Sequence, residues 1–173
     1  MAAASEHELI SRAAEFALNH ASETEAKVHE EFKTSGATSL VNAARMLTML
    51  RAVIAIGSLS VFESVLQQQT GWDDPFARVD QELRKNGNDA LADRFLDYRN
   101  AINVLKHGKG RSYEALLKRG SALDFPVKSS DQSFFHEGDV SEGLHLIKAD
   151  DEFGRRCAAI IQEVADVLRP ILR

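Results

Sequence analysis

Residues 40–66, LVNAARMLTMLRAVIAIGSLSVFESVL, are the most apolar part of the chain, and their reading decides the fold. Only eleven uncharged residues lie between Arg51 and Glu63, against the ~20 that a bilayer crossing requires. The stretch therefore reads as the central helix of a soluble bundle, with no membrane expected. Leu40, Leu47, Ile54 and Val61 recur every seven residues, Ala43, Leu50, Gly57 and Ser64 lie three further on, and Met46 and Val53 extend the apolar surface round the cylinder. Such a helix is expected to be the most buried of its bundle, covered by neighbours over most of its surface. Gly57 marks where another helix or a second copy of the chain would come closest, since an interior glycine costs ~1 kcal/mol relative to alanine.

Outward from that helix, Leu9, Ile10, Ala13, Phe16, Ala17, Val28 and Phe32 recur at helical spacing over 6–33. Ser5 is placed to cap this helix, Glu8 completes a capping box, and Ser35-Gly36 stops it. A helix over 75–85 follows from Asp74 as cap, Pro75 in the first turn and the stop Asn86-Gly87-Asn88. The stripe Leu91, Phe95, Tyr98, Ile102, Leu105 predicts another over 89–107. The last, over 151–168, carries Phe153, Cys157, Ile160, Val164 and Val167 on one face, in line with Ile171, and Pro170 ends it.

Residues 108–150 lack one dominant period. A short helix over 112–118, capped by Ser112 and stopped by Gly120, is expected there, and ALDFPVK (122–128) and GLHLIKA (143–149) read as strands of a small hairpin. The expectation is an all-α bundle of about five helices, with an irregular segment before the last, in one domain over 1–173. No internal repeat, low-complexity tract or linker argues otherwise. A chain of 173 residues with 44% hydrophobic composition supports one core without disulfide or structural metal. The single cysteine, Cys157, cannot form an internal disulfide, and the polar start MAAASEHELI does not read as an export leader, so the reducing cytoplasm is the expected compartment.

Charge supplies the first functional clue. The chain is acidic overall at -5, yet residues 99–119 hold six bases (Arg99, Lys106, Lys109, Arg111, Lys118, Arg119) and one acid, Glu114, a local balance of +5. Basic residues at a helix C-terminus also complement the helix dipole, so the window by itself admits a structural explanation. On a helical wheel centred on the core stripe, Arg99 falls at about 80°, Asn103 at about 120° and His107 at about 160°, with Asn100 beside them at about 180°. An arginine fork, two amides and an imidazole on one flank can read a phosphate, and the imidazole can move a proton near neutrality. Asn103, Lys106, Lys109 and Arg111 are the candidate binding residues; Arg99, His107 and Asn100 are the candidate catalytic ones.

The run Tyr98-Arg99-Asn100-Ala101-Ile102-Asn103-Val104-Leu105-Lys106-His107-Gly108 resembles the signature helix of the HEPN superfamily, the higher eukaryote and prokaryote nucleotide-binding domains. Arg99 matches the family's arginine, Asn100 its following polar residue and His107 its histidine. Seven residues separate Arg99 from His107, one more than the family pattern. The resemblance implies an all-α bundle, a homodimer and, in active members, metal-independent RNA cleavage by arginine and histidine in a cleft between protomers. Other members bind nucleotides or proteins without cleaving them.

Remaining constellations point elsewhere. His136, Glu137, Asp139, Glu142 and His145 gather metal-ligand types without a metal-site spacing and read as a solvated acidic loop, so no metal and no cofactor are expected. Gly108-Lys109-Gly110-Arg111-Ser112 lacks the spacing of a nucleotide-binding P-loop and follows a helix. Cys157 falls on an apolar stripe as a buried structural thiol, His20 and His29 read as exposed, and Trp72 as packed at a helix junction. Three function classes follow: a metal-independent ribonuclease, a non-catalytic module binding RNA, nucleotide or protein, and a helical dimer without ligand.

Overall fold

In the computed structural model, residues 4–129 and 146–172 are described. Among them the chain forms α1 (Glu6–Phe32), α2 (Thr38–Thr70), α3 (Pro75–Lys85), α4 (Asp89–His107), α5 (Arg111–Arg119), a 3-10 turn (Gly120–Ala122) and α6 (Asp151–Leu168). The all-α bundle is thus observed, with α5 as a sixth helix. Boundaries follow local chemistry. The Glu8 N–H donates to Ser5 Oγ at 3.3 Å, the Ala77 N–H to Asp74 Oδ1 at 3.0 Å, and the Phe153 N–H to Asp150 Oδ1 at 2.9 Å. Glu8 does not close the expected box; its carboxylate pairs with Arg12 one turn on. Nor does Ser112 cap α5: the helix begins one residue earlier with Gly110 at the cap position. The expected hairpin contracts to one antiparallel bridge, Val127 to Ile147, with the Lys128 N–H donating to the Leu146 carbonyl at 3.0 Å. The start of its second strand lies outside the described residues.

Two aromatic clusters, joined through α4, make the centre of the core. Phe76 meets Phe95 edge to face at 5.1 Å, and Phe62 meets Phe95 likewise at 6.4 Å. One turn along α4, Tyr98 contacts Phe125 at 5.1 Å and Phe153 at 5.4 Å. Each such pair adds ~0.5–1.5 kcal/mol to what the burial of its area contributes. The stripe on α4 is therefore the seam the sequence predicts, with Phe95, Tyr98 and Ile102 buried and Leu91 and Leu105 half-buried against them.

The expectation for α2 needs correction. Nine of its 33 residues are buried, against nine of 18 in α6, so α6 and not α2 is the most enclosed helix. The buried face runs Leu47, Arg51, Ala55, Leu59, Phe62, Leu66, turning away from the heptad line through Ile54 and Val61. A straight helix drifts ~20° per heptad. Because α2 is apolar on all sides, its pattern does not specify which face turns inward. Met46, Met49, Leu50, Val53 and Val61 remain 42–66% exposed in a stripe along the outside. One 18-residue window of α2 has a mean hydropathy of 1.7 and is a third buried, long and apolar enough by length and composition to cross a bilayer. In this fold, the same helix sends Arg51 inward to Glu25 on α1 and Asp151 on α6.

Candidate functional site

Helix α4 carries the candidate residues because its apolar stripe pins one side to the core and leaves a flank beside α2 and α3. The helix closes at Gly108, whose φ of +74° is a conformation open to glycine and strained for other residues. The Gly108 N–H still donates to the Val104 carbonyl at 2.8 Å, so the backbone hydrogen bonds persist to His107.

On that flank lies a pocket of about 210 Å³ between three helices. Arg99, Asn103 and Lys106 of α4 form one wall, Ser60 and Glu63 of α2 the other, and Phe76 of α3 with Leu59 and Ile102 the apolar base. The Arg99 guanidinium carbon sits 5.7 Å from the centre of the Phe76 ring, a cation–π contact that supports the head group without neutralising it. Asn103 Nδ2 reaches Ser112 Oγ at 3.5 Å, linking this wall to α5.

The structure brings together a different set from the predicted ridge. Arg99 and Asn103 share the pocket with Lys106, giving the spacing i, i+4, i+7, whereas His107 does not line it. Lys106 lies closer than His107 to Arg99 in angle, since seven residues turn a helix by about -20° net and eight by about +80°. Arg99 and His107 are ~12 Å apart along an ideal axis. His107 is exposed at the helix end, Asn100 is half-buried and does not line the pocket, and Lys109 and Arg111 are exposed beyond Gly108.

Most described arginines are ion-paired; outside this region the exceptions are the exposed Arg45 and Arg155, the latter bonded only to the Asn19 amide. Among the described residues, Arg51, Arg78, Arg84, Arg94, Arg119, Arg156 and Arg169 are all ion-paired. Arg119, counted in the basic window, donates from Nη2 to Asp97 Oδ2 at 2.8 Å, and this nearly buried carboxylate absorbs its charge. No described acid pairs with Arg99, Lys106, His107, Lys109 or Arg111. Sequence reasoning missed the opposite wall: Glu63 is the only acid of α2, on a helix otherwise apolar or neutral save for Arg45 and Arg51, and that isolation was its one signal.

Cys157 is fully buried, and burial pushes its thiol well above its ordinary pKa, so it is a packing residue. Trp72 is half-buried at the junction of α2 and α3, with the Arg78 guanidinium 5.8 Å from its ring. His20 and His29 are exposed. No group of three or more metal-ligand side chains occurs among the described residues; the cluster from His136 to His145 lies outside them. His7, without a signal in the local pattern, is buried edge-on against Phe62 at 5.6 Å, and burial lowers its pKa.

Comparison with family models, with curated proteins and with solved structures finds no match to this chain.

Proposed function

We propose that this chain binds RNA through backbone phosphate at the Arg99, Asn103 and Lys106 wall. One observation carries the proposal: two cations and an amide line one side of a pocket with no described acid paired to either cation, in a protein where eight other arginines are ion-paired. Arginine offers a planar fork to phosphate, and lysine adds a mobile point charge. Lys109 and Arg111, just past the helix end, extend the positive edge for a chain longer than one nucleotide. Membership of the HEPN superfamily belongs to the same proposal and rests on residues 98–108 together with the all-α architecture. Binding of a fluorescent single-stranded RNA should weaken steeply with salt, with a logarithmic slope of roughly -0.7 per phosphate contacted. Arg99→Ala and Lys106→Ala should each lower both affinity and slope.

Cleavage is the second reading. His107 is exposed on the same helix as Arg99, and neither pairs with a described acid. In that reading Arg99 stabilises charge on the phosphate, His107 acts as general acid or base, and Asn100 orients them, with no metal involved. Cleavage that persists in chelator and is lost in His107→Ala supports it; binding without cleavage leaves the module as the function.

We place a second copy of the chain on the outer stripe of α2. Met46, Met49, Leu50, Val53 and Val61 of α2, with Leu9 and Phe16 of the neighbouring α1, are 42–70% exposed, and an exposed apolar face of this kind marks an interaction surface. Gly57 sits in this stripe with nothing within 4 Å of where a Cβ would stand, so the fold of one protomer does not require a glycine there. Sedimentation should find a dimer.

A further inference from the structure

We infer that Glu63, with Ser60 beside it, reads the ribose hydroxyl next to the phosphate held by Arg99 and Lys106, and so makes the pocket selective for RNA over DNA. The inference rests on the phosphate-binding proposal and extends it to the opposite wall. Glu63 is half-buried and lines the same pocket as Arg99 and Lys106, yet it forms no ion pair or hydrogen bond with any described residue. Elsewhere in the molecule, acids that face arginines across helices close on them, as Asp151 does on Arg51 at 2.6 Å and Asp97 on Arg119 at 2.8 Å. Here the carboxylate and the two cations stand on separate walls with a cavity between them.

A ligand in that cavity meets cations on one side and an anion on the other. Phosphate alone gains nothing from the Glu63 wall, because a carboxylate shares its sign of charge and only accepts hydrogen bonds. The wall becomes attractive when the ligand places a hydrogen-bond donor toward Glu63 while its phosphate faces Arg99 and Lys106. In a polynucleotide backbone the donor that lies beside the phosphate is the ribose 2′-hydroxyl, which DNA lacks. At about 210 Å³ the pocket is smaller than the ~300 Å³ or more of clefts that enclose a whole small ligand, and suits one phosphate with its sugar. Ser60, exposed one turn before Glu63, can donate to or accept from the same hydroxyl.

The test compares single-stranded RNA with DNA of the same base sequence, and with fully 2′-O-methylated RNA, by anisotropy at fixed salt. Wild-type protein should prefer RNA to DNA by about tenfold or more, as expected for one hydrogen bond to a charged group, and should treat the methylated strand like DNA. In Glu63→Gln the preference should fall to within about threefold, chiefly because DNA binds better once the charge is gone, with a smaller fall in Ser60→Ala. Unchanged circular dichroism would confirm that both variants fold. If Glu63→Gln raises RNA and DNA affinity together and leaves their ratio unchanged, Glu63 is only a background charge and the inference is wrong while phosphate binding stands. If wild-type protein binds no strand, or binds RNA equally well in Arg99→Ala, the phosphate site fails and the inference fails with it.

Discussion

Arg51 and Arg99 show the same side chain put to opposite uses. Arg51 is 5% exposed and spends its guanidinium inside the bundle, with Nε donating to Asp151 Oδ1 at 2.6 Å and Nη2 to Glu25 Oε2 at 2.7 Å. It ties α1 and α6 to α2, and Ser22 completes the network by donating to Asp151 Oδ2 at 2.6 Å. Arg99 is half-buried on an aromatic ring, has no carboxylate partner, and faces a cavity. A buried charge must be paired to be tolerated, so Arg51 is accounted for by the fold. A partly exposed cation left unpaired at the edge of a pocket is not required by the fold, and its counter-charge is what a ligand can bring.

The contrast can be broken first where the pocket meets the core. Phe95→Ala removes a side chain that touches both Phe62 and Phe76, the ring under Arg99, and should cost ~3–5 kcal/mol in denaturant unfolding. Arg51→Ala should cost about 3 kcal/mol, since it strands the Asp151 and Glu25 carboxylates, and the half-exposure of Glu25 softens the loss. A loss under ~1 kcal/mol would place Arg51 on the same footing as a surface ion pair.

Acid acts on the Arg51 network alone. Burial pushes the Asp151 carboxyl up, but hydrogen bonds from Arg51 and Ser22 outweigh it and hold the folded-state value below its ordinary 3.8. The stabilisation is therefore complete above pH 3.8 and is lost as pH falls through the lower folded-state value. Acid titration of stability should show this loss in the wild type and less of it in Arg51→Met. The smallest stability effect belongs to Arg99: Arg99→Ala should shift unfolding by less than ~1 kcal/mol, because only the contact with Phe76 goes.

Legibility in the sequence differed between these regions for physical reasons. On α4 a one-sided stripe specifies both the helix and its inward face, and Phe95, Tyr98 and Ile102 are buried as the pattern requires. On α2 apolar residues on every side specify a helix but no direction, which is why its exposed stripe and the inward turn of Arg51 could not be read. The basic window over 99–119, running from α4 into α5, was visible as composition. Its division into Arg119, paired to Asp97, and Arg99 with Lys106, unpaired, depends on acids distant in the chain or absent. The wall formed by Ser60 and Glu63 and the base at Phe76 come from two other helices, and no local period links them to Arg99.

If the proposal holds, the unpaired charge at Arg99 serves a phosphate ligand. A salt titration of single-stranded RNA binding, run in parallel on wild type, Arg99→Ala and Arg84→Ala, tests it directly, since Arg84 is an exposed arginine already held by Asp80, Asp89 and Asp93. Arg99→Ala should lose about tenfold in affinity with a shallower salt slope, while Arg84→Ala should bind like wild type. Equal losses in both variants, or none in Arg99→Ala, would contradict it.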